Sequence, residues 1–141
     1  MHPRPVVSPA ARPATATTVA SDLRIEIFPA DLDPVVDFYT AVLGFTLVRD
    51  ERHQEWPYVA LRRGRARIGA AQRKDPVDLH HRRPPTGTEI VIEVDDVAAL
   101  RDHVAARWSL EEDLVDRPWN LTDFRVLDPA GYYLRLTSTG A

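Results

Sequence analysis

The chain repeats itself at a constant offset, and this constrains its fold more than any other feature. Moving residues 25–41 forward by 65 positions lays Ile25-Glu26-Ile27 on Ile90-Val91-Ile92, Asp31-Leu32 on Asp96-Val97, Asp37 on Asp102 and Ala41 on Ala106. One offset that holds through a strand-like run, a capping aspartate and a helix-like run marks a duplicated supersecondary unit. With 141 residues in all, each copy is too small to bury its own apolar face, so the two copies share a core.

The pattern inside each copy names the unit. Leu23-Arg24-Ile25-Glu26-Ile27-Phe28 alternates apolar and polar side chains, the period of a half-buried strand. Asp33 and Pro34 are expected to supply an N-cap and a first-turn proline. Val35, Val36, Phe38, Tyr39, Val42 and Leu43 recur at helical spacing, and Gly44 is placed to end the helix. Strands at 45–48, 56–62 and 66–71 follow, the last two joined by the tight turn Arg63-Gly64-Arg65. The second copy opens with a strand at 89–94. Its helix, capped by Asp96, carries Val97, Leu100, Val104 and Trp108 on one stripe. Strands at 110–115, 122–127 and 132–138 complete it, with Asp128-Pro129-Ala130-Gly131 as the last turn. The predicted fold is α+β: two tandem β-α-β-β-β modules, 22–74 and 87–139, forming a cleft between curved mixed sheets. Residues 1–21 lack any apolar period and read as a disordered or loosely packed tail, and 75–86 read as a linker.

Composition excludes several classes of function. A formal net charge of −3 gives no basic footprint for nucleic acid. The absence of Cys removes thiol nucleophiles, disulfides and thiolate metal ligands. No apolar run approaches the roughly 20 residues of a membrane span. Pro3, Pro5, Pro9 and Pro13 interrupt every short apolar stretch at the start, so the sequence predicts a cytoplasmic protein without a membrane partner.

Strand parity then picks the candidate site residues. If Ile25, Ile27, Ile90, Ile92, Leu134 and Leu136 pack beneath the helices, the opposite faces carry their sequence neighbours. In the first module these are Arg24, Glu26 and Phe28; in the second, Glu89, Val91, Glu93, Tyr133, Arg135 and Thr137. An Arg24 or Arg135 beside Glu26 or Glu89 reads either as a cross-strand ion pair or as an anchor for a ligand carboxylate or phosphate. Trp56 and Trp119, next to Pro57 and Pro118, lie outside both helical stripes and suit stacking against a planar ligand. Trp108 is assigned to the core. His80-His81 sits in a Pro-bounded stretch and reads as solvated loop, and nothing around His53 suggests a triad. Glu111-Glu112-Asp113 reads as a solvated strand edge, or else as an acidic lip for a cationic ligand.

Several of these motifs, in this order, carry a family resemblance. Asp31-Leu32-Asp33, Phe38-Tyr39 and Leu43-Gly44-Phe45 resemble the opening of vicinal oxygen chelate proteins (glyoxalases, bleomycin resistance proteins and dioxygenases). Glu93-Val94-Asp95-Asp96-Val97 is similar to the start of their second module. Pro118-Trp119 ahead of Phe124 and Asp128-Pro129-Ala130-Gly131 looks most like the bleomycin-resistance branch. The resemblance implies paired modules, a homodimer and a ligand at a sheet cleft. It also implies where the superfamily's enzymes place metal ligands: on Arg24, about Gly69, Glu89 and Arg135. Divalent ions of this class need imidazole or carboxylate donors, and a guanidinium stays protonated and repels them. The expectation is therefore metal-free binding, with no cofactor and no catalytic residue, of a small or medium aromatic ligand. Antibiotic sequestration is its most concrete form. The expected contacts are Trp119, Trp56, Arg24 and Glu26, with Glu89, Tyr133, Arg135 and Phe28. The alternatives are a lyase or oxidoreductase of the same superfamily, or metal-free acid–base chemistry on Glu26, Glu89 or Glu93. An interaction module within a biosynthetic assembly is a third class.

Overall fold

The repeat fixes the order of elements in the computed structural model, which describes residues 21–75 and 87–139. The first module runs β1 (Arg24–Ile27), α1 (Leu32–Asp37, continuing as a π-helical turn Phe38–Val42), β2 (Thr46–Glu51), β3 (Tyr58–Arg63) and β4 (Ala66–Ala71). The second runs β5 (Ile90–Val94), α2 (Val97–Ala105), β6 (Glu112–Asp116), β7 (Thr122–Leu127) and β8 (Tyr133–Ser138). Apart from Ser21, the tail expected at 1–21 lies outside the described residues; so does the expected linker, except Asp75.

The helix starts correct one expectation. Asp31, not Asp33, caps α1: its carboxylate accepts from the Asp33 N–H at 3.1 Å. An N-cap needs extended backbone, which Asp31 has (φ −135, ψ 124), whereas Asp33 already lies inside the helix. Asp96 caps α2 in the same way, accepting from Ala99 at 3.0 Å. The two caps are the pair that the 65-residue offset superposes. Asp33 instead pairs with Arg52 at 3.1 Å.

Each module forms a four-stranded sheet, in the orders β1-β4-β3-β2 and β5-β8-β7-β6. The pairs β1–β4 and β5–β8 are parallel and the others antiparallel, so each helix is the crossover that covers one face of its own sheet. Ile27, Val59, Leu61 and Ile68 line the covered face of the first sheet, beneath Val35, Val36, Tyr39 and Leu43. Phe124, Val126, Leu134 and Leu136 do the same in the second, beneath Val97 and Val104. Ile25 and Ile90 pack against the rim of this core, so the predicted parity holds on both sheets. At about 1.5–3 kcal/mol per fully buried large apolar side chain, this shared core outweighs any single polar contact.

The modules are joined on their helical sides. The Phe38 ring lies 4.8 Å from that of Trp108, whose Nε1–H donates to the Leu127 carbonyl at 2.7 Å. Trp108 thus belongs to the core, as expected, although it lies beyond the last residue of α2. The Tyr39 hydroxyl donates to Asp128 Oδ2 at 2.7 Å, and Asp128 Oδ1 accepts from the N–H groups of Ala130 and Tyr132. Gly131 (φ 84) closes that turn in the left-handed region, which is why Asp-Pro-Ala-Gly must end in glycine. Burial, and then the Asp128 carboxylate, push the Tyr39 hydroxyl well above its ordinary pKa, so it is a fixed donor. Among the described residues no helix is long and apolar enough to cross a membrane. What remains uncovered is the opposite face of each sheet.

Candidate functional site: the two open sheet faces

On the first sheet, register places side chains in rows. Arg24 lies beside Arg67, which lies beside Arg62; one step along, Glu26 lies beside Gly69 and Gly69 beside Ala60. The Glu26 carboxylate meets Arg24 Nε at 2.9 Å and accepts from the Tyr58 hydroxyl at 3.1 Å. Gly69 makes that meeting possible, because a Cβ there would overlap both Glu26 Oε2 and the Tyr58 hydroxyl. Burial, and next the bond to Glu26, raise the Tyr58 hydroxyl pKa, so Tyr58 acts as a donor. Arg49 stands 5.2 Å over the Tyr58 ring and pairs with Glu51 at 3.2 Å. This face therefore carries four arginines (Arg24, Arg49, Arg62, Arg67) against two carboxylates (Glu26, Glu51).

The second sheet has the same geometry and a different charge plan. Val91, Arg135, Arg125 and Glu112 form one row, and Glu93, Thr137, Asp123 and Val115 the next. Arg135 pairs with Glu89 at 2.7 Å, and Arg125 lies 3.8 Å from Glu89 and 3.6 Å from Glu112. Arg117 bridges Glu112 and Asp123, the latter at 2.8 Å with no exposed side-chain surface. Arg125 also faces the Tyr133 ring at 5.7 Å and donates to its hydroxyl at 3.3 Å. Burial works against the Arg125 charge, but the Tyr133 hydroxyl, Asp123 and Glu89 outweigh it and raise its pKa. Three arginines here face four carboxylates: Glu89, Glu93, Glu112 and Asp123. A pocket of about 120 Å³ lies at the seam between the sheets, lined by Ile25, Arg67, Ile68, Ile90 and Val91 among others.

The expected contact residues divide into groups. Arg24 and Glu26 meet on the first face; Glu89, Arg135 and Tyr133 share the second. Phe28 lies just past β1, 37% exposed, with the Arg73 guanidinium 4.7 Å over its ring. Trp56 and Trp119 occupy equivalent places, the β2–β3 and β6–β7 hairpin tips, and are 80% and 57% exposed. Trp119 sits in a tight turn closed by the Arg117 N–H to the Leu121 carbonyl at 2.7 Å, with Asn120 at φ 69. The same Arg117 reaches back into the second face. Glu111-Glu112-Asp113 lies exposed at the start of the terminal strand β6, the solvated edge expected, and it is not an open lip: Glu112 is held by Arg117 and Arg125, and Asp113 takes two bonds from Arg101 at 2.7 and 2.8 Å. Tyr58, Arg62, Arg67, Arg117, Asp123 and Arg125 were not expected at the site. Parity held the signal for most of them, since Leu61, Ile68, Phe124 and Val126 point inward and their neighbours point out.

The donor set does not fit a metal. Arg24, Gly69, Glu89 and Arg135 hold the positions named by the resemblance, and β-ladder register places Gly69 and Arg135 equivalently, beside Glu26 and Val91. Of these only Glu89 offers a carboxylate, and Arg135 already engages it. Among the described residues no group of three or more His, Cys, Asp or Glu could hold an ion.

Known proteins place this geometry. No curated protein sequence matches the chain significantly. Among solved structures, TioX from Micromonospora sp. ML1 superposes with a TM-score of 0.68 at 23% identity, covering 84% of this chain and 98% of that one. The bleomycin-binding protein from bleomycin-producing Streptomyces verticillus, complexed with copper(II)-bleomycin, gives 0.64 at 22% identity over 86% and 98%. A lactoylglutathione lyase from Agrobacterium tumefaciens gives 0.64 at 19% over 84% and 93%. These likenesses concern the fold. The Glyoxalase/Bleomycin resistance protein/Dioxygenase superfamily profile matches residues 23–136, and the chain belongs to that superfamily.

Proposed function

We propose that the protein binds a small or medium planar aromatic molecule at the open sheet faces, without a metal ion, and that antibiotic sequestration is the concrete form of this activity. The observation that carries the reading is the chemistry of the metal-ligand positions: two arginines and a glycine replace donors, and the remaining carboxylate is bound to an arginine. Exposed Trp56 and Trp119, at equivalent hairpin tips, supply flat rigid surfaces beside those faces. The uncovered apolar residues Val48 (49% exposed) and Val91 (39%) support a homodimer, in which a second copy covers part of what one chain leaves open. The Streptomyces verticillus neighbour, complexed with copper(II)-bleomycin, supports a bound small molecule on this fold.

Tryptophan fluorescence during titration with copper(II)-bleomycin and a panel of flat heteroaromatic compounds tests the reading. At least one compound is expected to change the signal saturably. Trp119→Ala is expected to weaken its binding about 5- to 150-fold, or about 1–3 kcal/mol. The same variant loses less stability than Trp108→Ala, which opens a core cavity worth about 3–5 kcal/mol. Unchanged affinity in a folded Trp119→Ala protein, or one tightly held Fe, Zn, Ni or Mn per chain, would overturn the proposal.

A further inference from the structure

We infer that the row Arg24–Arg67–Arg62 on the first sheet is an oxyanion site, so that the ligand carries a carboxylate, phosphate or sulfate group. This rests on the reading that the open faces hold a ligand, and it names that ligand's chemical class. The three arginines stand on adjacent strands in direct register, β1 to β4 to β3. Side chains so paired start about 5 Å apart at Cβ, and like charges in that position oppose folding. Glu26 answers only Arg24. Among the described residues neither Arg62 nor Arg67 has an ion pair, and Arg67 Nε is buried with no hydrogen-bond acceptor. A buried donor without an acceptor is costly, and an ionic one more so.

An oxyanion resolves all of these features at once. The central Arg67 offers a planar fork that takes two oxygens of one carboxylate or phosphate, and Arg24 and Arg62 flank it. Glu26 and Tyr58, seated over Gly69 in the next row, flank Arg67 on one side and give the site direction: an anion is repelled from that side and drawn toward the other side of Arg67 and Arg62. The second face offers no such place. Its Arg125 and Arg135 also leave Nε without a hydrogen bond, but carboxylates already stand 2.7–3.8 Å from both guanidiniums. A cationic cargo would suit neither Arg62 nor Arg67. The first face thus selects for a molecule that carries an anionic group.

The test titrates the full chain with inorganic phosphate, then phenyl phosphate, then phenol, at constant ionic strength in chloride buffer. The readouts are the Arg67 Nε–H resonance and calorimetry. Phosphate is expected to shift that resonance saturably, phenyl phosphate to bind at least about tenfold more tightly, and Arg67→Gln to weaken both at least about tenfold. Arg67→Lys is expected to recover part of the binding, since charge remains but the fork is lost. No saturable shift, or equal binding by Arg67→Gln, overturns the inference. So does a dimer that dissociates in Arg67→Gln without any phosphate binding, because the row is then covered by a second copy. Fluorescence response to neutral aromatics with none to phosphate sinks the anion site and leaves the aromatic reading standing. Phenyl phosphate binding that ignores Trp119→Ala does the reverse.

Discussion

On the second sheet each arginine of the open face has a carboxylate within 4 Å, whereas on the first Arg62 and Arg67 have none among the described residues. The two faces descend from one repeated unit, and their strands pair in the same order and sense. The difference comes down to equivalent positions. Gly69 admits Glu26 and Tyr58 from neighbouring strands, while its counterpart Arg135 fills that space and recruits Glu89. A face whose charges are matched internally is a finished wall. One that keeps like charges in register, at a cost to folding, is stabilised by something added to it.

The largest effect that would sharpen this contrast is at Asp123. Its side chain has no exposed surface and it holds Arg117 at 2.8 Å, with Arg125 and Arg135 at 4.0 Å. Asp123→Ala is expected to destabilise the protein by about 3 kcal/mol, because it strands buried positive charge. For a chain of this size that lowers the melting temperature by roughly 10 °C. A loss under about 1 kcal/mol, measured by denaturant unfolding, would mean that solvent already relieves the second face. The wall would then be no more finished than the first.

A smaller effect belongs to the joint that both modules share. Tyr39→Phe removes the hydroxyl that donates to Asp128 while keeping the ring that packs against Phe38 and Phe45. Stability is expected to fall by about 1–3 kcal/mol, the cost of leaving a buried carboxylate oxygen without that donor. The fall should appear in a single transition, since the helical sides form one core. Two separated transitions would show that the faces belong to independently folding units.

The direct comparison of the faces is a pair of matched substitutions. Arg135→Gln strips Glu89 of its 2.7 Å partner and is expected to cost about 1–3 kcal/mol. Arg67→Gln relieves a like-charge row and is expected to leave stability unchanged or to raise it by up to about 0.5 kcal/mol in the absence of ligand. Equal losses at both positions, read from urea midpoints, would erase the distinction between the faces.

Much of the fold was legible because its signals are periodic. Asp96 was legible as a cap, but Asp33 beside Pro34 drew the first cap two residues too far; the offset that pairs Asp31 with Asp96 agrees with the caps the structure shows. Alternation in β1, β5 and β8 separated core from open face correctly. The site was legible only in part. Arg24 and Glu26 were found because β1 alternates cleanly, but the row they belong to crosses to β4 and β3. Cross-strand register depends on pairing between distant segments, which no local pattern prints. The π-helical turn Phe38–Val42 was also invisible, because Phe38, Tyr39 and Val42 satisfy α-helical spacing equally well.

The smallest effect asks whether the modules differ on their helical sides as they do on their open ones. There they are alike. Arg52 ties Asp50 of β2 to Asp33 of α1, and Arg101 of α2 ties itself to Asp113 of β6. The side-chain bond from Arg52 lowers Asp50 from 3.8 to about 2, and the bond from Arg101 does the same to Asp113. Both carboxyls are harder to protonate when folded than when unfolded. Their contribution is therefore complete above about pH 4, and it is lost as pH falls from about 4 through about 2. Because both clamps are exposed, the loss is modest and added salt reduces it. Carboxyl titration by NMR is expected to give both midpoints near 2. Asp113→Asn should flatten the acid limb of the stability curve, and so should Asp50→Asn. A midpoint near 3.8 at one site and near 2 at the other would extend the asymmetry of the open faces to the helical sides. The difference between the faces would then be general drift between the two copies, and the uncompensated arginine row would lose its standing as a specific adaptation of the first.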